Sequence, residues 1–305
     1  MWGVMSYYNP SAFASKLPRY LLAASSARMQ GLPLLVVEAV ASGAASEVPD
    51  ESADIVIRVG APAPLWLKEH LVNLGVRHLP PQCDKVVWLD ADILFTNDSW
   101  VDEASFALET YDVVQPFSSA IWLTEDATRE RLERNASPRL QAERRDFGTA
   151  TASRWIPLSN ILRGHVGFAW CARREVIEDV GLYDRMIVGG GDYVTACGFY
   201  GLKEAMLLRA MRVPNLKRDI LAWMEQFHTR IRGNIGSVHG NVLHLWHGRR
   251  ADRQYFQRYQ ILRDHCFDPR TDVEIGNDDT MILCARKPIL IAAIGRYFAQ
   301  RKEDG

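Results

Sequence analysis

In the first third of this chain, apolar runs that end in turn signals alternate with stretches of helical spacing. Gly3 to Tyr8 is a short apolar run that stops at Asn9-Pro10 and predicts a first strand. Phe13, Leu17, Leu21, Leu22 and Met29 then recur at helical spacing. Because Pro18 interrupts that pattern, the helix is expected to start near it and to close at Gly31 and Pro33. Leu34 to Val37 and Asp54 to Val59 read as second and third strands, with Glu38 at the end of the second. Leu65 to Leu74 reads as a helix stopped by Gly75, and Lys85 to Leu89 as a further strand. This order predicts an α/β fold with a mixed, mostly parallel sheet flanked by helices.

The pattern is less regular beyond that point. Val101 to Glu109 reads as a helix and Tyr111 to Gln115 as a strand. Glu125 to Asp146 is dense in arginine and glutamate, and is expected to be a solvated helix laced by i to i+4 ion pairs. The alternative makes it part of a lid, since Phe147 to Thr151 follows as a flexible stretch. Gly164 to Cys171 reads as a strand and Arg173 to Val180 as a helix. Gly189, Gly190 and Gly191 are closed by Asp192, and a helix from Tyr193 to Phe199 follows. Val242 to Trp246 is a strand that presents His244 and leads into His247, Arg249 and Arg250. Lys287 to Arg301 is an amphipathic helix, expected to pack on the domain, with contact to a membrane surface as the lesser alternative.

Residues 1–250 are expected to form one domain, with 1–115 as its ligand-binding half and 116–250 as its catalytic half. Residues 251–305 are expected to form a helical extension. Lysine plus arginine (36) nearly balance aspartate plus glutamate (37), so bulk charge gives no reason to expect nucleic acid as a partner. Five widely spaced cysteines without a Cys-X-X-Cys pair fit a reduced, cytoplasmic setting. No secretory leader and no long apolar span is evident.

The candidate chemistry begins with Asp90 and Asp92, which end the apolar strand Val86-Val87-Trp88-Leu89. Open α/β sheets bind ligands at the carboxyl ends of their strands, and two acids one residue apart repel unless a cation holds them. A divalent ion, Mg²⁺ or Mn²⁺, bridging them to phosphates answers that need, against the alternative of a solvated strand end. An imidazole from His244 or His247 favours Mn²⁺ over Mg²⁺. Arg249 and Arg250 suit phosphate oxygens, or are plain surface arginines. Asp192 is placed to act as general base toward a hydroxyl, or to cap the helix that follows. Trp170 and Tyr193 read as core aromatics before they read as sugar-stacking platforms.

Together these residues resemble the GT-A glycosyltransferases that depend on a metal held by Asp-X-Asp, in particular inverting family 2 and galactosyltransferase-type enzymes. The likeness rests on His70 to Gly75 running on to Lys85 to Asp92, and on Gly164 to Asp192. Where the family has Gly-Gly-Glu-Asp, this chain has Gly189-Gly190-Gly191-Asp192. The resemblance implies a GT-A, Rossmann-like fold and transfer of a sugar, with inversion, from a UDP-linked nucleotide sugar to a glycan or other hydroxyl acceptor. It implies that Tyr8, Lys68, Asn73, Asp90, Arg249 and Arg250 lie along the donor, with Glu38 near its base or ribose. Asp90 and Asp92 would hold the metal, completed by His244 or His247, with His244 favoured because the family's metal histidine also closes a strand. Retaining transfer on the same fold, a haloacid dehalogenase-type phosphatase with Asp90 as nucleophile, and a non-catalytic sugar-binding module are the alternatives.

Overall fold

Eleven strands build the two sheets around the site: β1 (Trp2–Tyr8), β2 (Leu34–Ala41), β3 (Ile55–Ala61), β4 (Lys85–Leu89), β5 (Ile93–Phe95), β6 (Val113–Gln115), β7 (Ser119–Leu123), β8 (Ala142–Phe147), β9 (Ala169–Arg173), β10 (Ile235–Ser237) and β11 (Asn241–His244). The computed structural model describes residues 1–134, 142–153, 164–203, 205, 211–231, 233–277, 279–283 and 287–305. The central sheet has the order β10-β6-β9-β4-β1-β2-β3, in which β9 runs antiparallel to both neighbours and every other pair is parallel. It is the mixed, mostly parallel, helix-flanked sheet that the sequence pattern predicts.

The chain lays β2 and β3 on one side of β1 and then crosses to place β4 on the other side. That reversal opens a crevice at the carboxyl ends of β1 and β4, where such sheets take their ligands. Because side chains alternate along a strand, the sheet feeds two cores. Val4, Leu35, Val37, Val86 and Trp88 face α2 (Lys68–Arg77), whereas Met5, Leu34, Val36, Val87 and Leu89 face α1 (Lys16–Met29). Burial on both faces is why these strands read as continuous apolar runs.

Several expectations are corrected. The second helix starts at Lys68 and runs through Gly75 to Arg77. Gly75 serves close packing there, since a Cβ would stand 2.5 Å from Val4 Cγ1. After α3 (Trp100–Ala107), the charged stretch is not one helix: α4 (Glu125–Arg134) is followed by β8, which pairs antiparallel with β7. Residues 135–141 of that stretch lie outside the described residues. Strand β8 is the edge of its sheet, where charged residues suit an exposed edge. Phe147 to Thr151 is structured: Gly148 bridges to His165, and α5 (Thr149–Ser153) follows. The short strands β5 and β7 escape sequence reading because three to five residues show no clear period.

Further on, β9 begins only at Ala169, so Gly164 to Phe168 is a loop, and α6 (Arg174–Ile177) is a single turn. Helix α7 (Gly191–Tyr200) packs on α8 (Pro214–Ile231). Strand β11 closes at His244, so Leu245 and Trp246 lie beyond it. Beyond residue 250, α9 (Arg258–Asp264) and α10 (Pro288–Ala299) share the α2-side core through Tyr259, Leu262, Leu290, Ile294, Tyr297 and Phe298. Each such Leu, Ile or Phe burial is worth about 1.5–3 kcal/mol, and together they fix α10 against the domain. No helix among the described residues is long and apolar enough to cross a membrane. Cys83, Cys171, Cys197 and Cys266 are free thiols, and Cys284 lies outside the described residues.

Candidate functional site

A cavity of about 470 Å³ opens at the crevice between the ends of β1 and β4. Ser6 and Tyr8 come from β1, Asp90 to Asp92 from the turn after β4, His244 from the end of β11, and Lys68 and Asp192 from the first turns of α2 and α7. The backbone N–H of Asp90 donates to the carbonyl of Phe168 at 2.7 Å, and that of Leu245 donates to the carbonyl of Asp92 at 2.9 Å. These two bonds clamp the acid turn between the Gly164 to Phe168 loop and the end of β11. Phe168 adopts the left-handed conformation (φ 77°), a strained state for a side chain of this size. Its ring stacks on that of His165 at 3.8 Å.

The two acids part company. Asp90 pairs with the Lys68 ammonium. Asp92 turns toward two imidazoles, with Oδ2 at 3.7 Å from His244 Nε2 and 3.4 Å from His247 Nε2. The two Nε2 atoms are 2.8 Å apart. One ligating atom from each of Asp92, His244 and His247 falls within 4.8 Å of the others. Burial holds both histidines neutral, well below the usual imidazole range, with the Arg253 charge adding to the effect. Asp92 Oδ1 is buried and has no hydrogen-bond partner among the described residues. Neutral nitrogens converging on a carboxylate with an orphaned oxygen fit a divalent ion, and two imidazoles with one carboxylate suit a transition ion such as Mn²⁺ better than Mg²⁺.

Asp192 lines the same cavity. It lies inside the first turn of α7 rather than at its cap, which is Gly190. Its Oδ1 accepts from Lys68 Nζ at 2.7 Å, and Oδ2 has no hydrogen-bond partner among the described residues. Burial works against the Lys68 charge, but Asp192 and Asp90 outweigh it and raise its pKa, so the ammonium stays protonated. Gly190 has φ 103°, and a Cβ there would stand 2.2 Å from the Tyr259 hydroxyl. The glycine run therefore lets the turn close over Tyr259 and aim Asp192 into the cavity. Beneath it, Glu69 is buried, with Oε1 unpaired among the described residues. Burial first, and then the Asp192 charge, push its carboxyl up to about 8, so that it carries its proton at neutral pH.

Of the residues expected from sequence, Tyr8, Lys68, Asp90, Asp92, Asp192, His244, His247 and Arg250 line the cavity. Tyr8 donates its hydroxyl to the Ala63 carbonyl at 3.0 Å. Three others stand elsewhere. Glu38 is buried beneath the loop after β2, accepting from Ser46 Oγ and the Glu47 amide, both at 2.6 Å. Asn73 bonds both backbone groups of Leu182, at 2.8 and 2.9 Å, outside the cavity. Arg249 is exposed, while the neighbouring Arg250 stands over Trp122 and Tyr255. Trp170 is a core residue, and Tyr193 lines the cavity.

Residues absent from the sequence reading complete the lining. Trp122 packs edge-on to His244 at 4.2 Å, with Arg144 over its ring. Arg19 donates to the Trp246 carbonyl, and Arg253 donates to the His247 carbonyl at 2.7 Å. Glu303, from the end of the chain, accepts from Arg301 at 2.8 Å and lies 3.8 Å from Arg19. The clustering of arginines from Arg249 to Arg263 was the one available sequence signal for part of this set. Nothing local marks Arg19 or Glu303. Among the described residues, eight lysines and arginines line the cavity against four aspartates and glutamates.

No family model and no curated protein matches the sequence. Similar solved structures include glucosyl-3-phosphoglycerate synthase from Mycobacterium tuberculosis, at 13% identity over 92% of this chain and 86% of that one, with a TM-score of 0.41. The catalytic domain of Drosophila β1,4-galactosyltransferase 7 in complex with xylobiose is 12% identical over 95% and 98%, with a TM-score of 0.38. A 4-diphosphocytidyl-2C-methyl-D-erythritol synthase from Anaerococcus prevotii is 11% identical over 78% and 86%, with a TM-score of 0.33.

Proposed function

We propose that this chain is a metal-dependent glycosyltransferase that moves a sugar from a nucleotide diphosphate sugar, UDP-linked, to a hydroxyl acceptor with inversion. The observation that carries this reading is the Asp92–His244–His247 cluster at the switch point of the sheet, which shares with Asp192 a cavity rich in cations. Asp92, His244 and His247 would hold Mn²⁺, which when bound supplies Lewis-acid stabilisation to the departing diphosphate. Arg250 offers a guanidinium to phosphate oxygens on the same side. Asp90 acts through Lys68, whose ammonium fixes Oδ1 of Asp192 and leaves Oδ2 to take the proton of the attacking hydroxyl. Trp122, Phe168 and His165 form an aromatic wall that keeps the metal side dry.

Calorimetric titration of UDP with and without Mn²⁺ tests the donor half, and absence of any metal-dependent binding overturns it. Proton NMR of the first-formed product tests the rest: retention of the anomeric configuration removes the base role from Asp192. Unchanged nucleotide-sugar hydrolysis in Asp92→Ala would refute the metal assignment, whereas tight sugar binding without any turnover would favour a binding module.

A further inference from the structure

Arg258 is left unexplained by the donor reading. It opens α9, is 6% exposed and lines the cavity. Among the described residues no carboxylate lies within ion-pair distance of it. Its polar side-chain contacts among those residues are the hydroxyls of Tyr259, at 3.2 Å, and Tyr297, and its Nε has no partner among them. Its charge otherwise rests on the faces of Tyr255 and Tyr259, at 5.4 and 5.2 Å. A buried guanidinium has five donors to satisfy and a desolvation cost of several kcal/mol that tyrosines offset only in part. An anion from outside the protein would offset the rest.

Its place in the cavity says which ligand brings that anion. Nη1 and Nη2 lie 2.7 and 3.2 Å from where Cβ atoms of Gly189 and Gly190 would stand, so the guanidinium sits against the turn that delivers Asp192. The metal cluster draws on other cations, with Arg19 and Arg253 bonded to the backbone around His247. The balance of charge points the same way. A nucleotide diphosphate sugar, with one negative charge on each phosphate, and a divalent ion together bring no net charge, so they leave the excess of cations over acids in the lining as it was.

We propose that Arg258 binds an anionic group, phosphate or carboxylate, carried by the acceptor. This rests on the reading of Asp192 and the donor side given above. The test titrates inorganic phosphate, and separately acetate, into the full chain already saturated with UDP and Mn²⁺. The wild type binds one of the two: preference for phosphate assigns a phosphorylated acceptor, and preference for acetate a carboxylated one. Arg258→Met weakens that binding about tenfold or more, while its affinity for UDP with Mn²⁺ stays within about twofold. Arg258→Lys keeps the charge without the planar fork and gives an intermediate loss, which guards against a methionine variant that fails to fold. The proposal is overturned if neither anion binds the UDP-saturated wild type, or if both variants bind it as the wild type does. It is also overturned if the variants lose UDP instead, which would put Arg258 on the donor. Should UDP and Mn²⁺ not bind the wild type at all, the donor reading falls, and the same comparison with phosphate on the unliganded chain decides the Arg258 site.

Discussion

Lys68 and Asp192 are joined in the lining of the cavity, Nζ to Oδ1 at 2.7 Å, although they stand 124 positions apart in the chain. The same ammonium pairs with Asp90, so a single cation holds two carboxylates that would otherwise repel. Replacing it with an apolar side chain of similar length, Lys68→Met, is expected to destabilise the fold by roughly 2–3 kcal/mol. That is below the 3–5 kcal/mol of a fully buried pair because Asp192 keeps partial access to water. Urea unfolding at pH 7 measures this.

The Asp92–His244–His247 cluster makes a separate prediction. Asp92→Ala leaves two neutral imidazoles without a carboxylate, and Mn²⁺ affinity should fall by at least roughly tenfold to a hundredfold. Electron paramagnetic resonance of free Mn²⁺ reads this directly. Equal Mn²⁺ binding by wild type and variant would place the metal elsewhere.

Glu69 offers a test by pH. Its folded pKa, pushed up to about 8, lies above the unfolded value of 4.5, so the folded state holds a proton that the unfolded state gives up. Wild-type stability is therefore expected to fall as pH rises from about 4.5 towards 8 on account of this group. Glu69→Gln mimics the protonated form and should remove that slope, gaining on the wild type steadily across the window. Parallel stability curves for the two proteins would show that Glu69 is ionised in the folded state.

Glu303 has the opposite sign. Burial alone would raise its pKa, but Lys16, Arg301 and Arg253 outweigh burial and hold it at about 2, below the unfolded 4.5. The stabilisation it gives, about 3 kcal/mol, is present above pH 4.5 and lost as pH falls toward 2. Glu303→Gln should be less stable than wild type at pH 7 and equal to it near pH 2, as thermal unfolding at the two pH values would reveal.

At Gly190 the backbone itself is the constraint. Gly190→Ala forces a side chain into φ 103° and against the Tyr259 hydroxyl, at a cost of about 1–3 kcal/mol for the conformation alone. Because the turn carries Asp192, turnover is expected to drop more than UDP affinity does. A variant with wild-type kinetics would mean that the turn does not position Asp192.

Much of the site was legible along the chain. The Val86 to Leu89 strand announces an acid pair at its carboxyl end because burial on both faces makes it continuously apolar, and the glycine run announces a tight turn before Asp192. Glu38 misled for a related reason: it follows the apolar run Leu34 to Val37, but the strand continues past it to Ala41. Its carboxylate is consumed by the amides and hydroxyl of the loop that follows, which no spacing reveals. The charged stretch after Glu125 misled because an edge strand and a solvated helix both tolerate dense charge, so composition does not separate them.

By itself, then, the sequence determined the parallel half of the sheet, the place of the acid pair and the glycine turn, since these depend on short-range periodicity and turn chemistry. Only the tertiary structure decided that Asp90 turns to Lys68 while Asp92 turns to His244 and His247, and that Arg258 lies buried against the Gly189-Gly190 turn with no carboxylate within ion-pair distance among the described residues. Those pairings join residues from strands and helices far apart in the chain. They follow from the order in which the strands assemble and from the cost of burying charge, neither of which any local segment encodes.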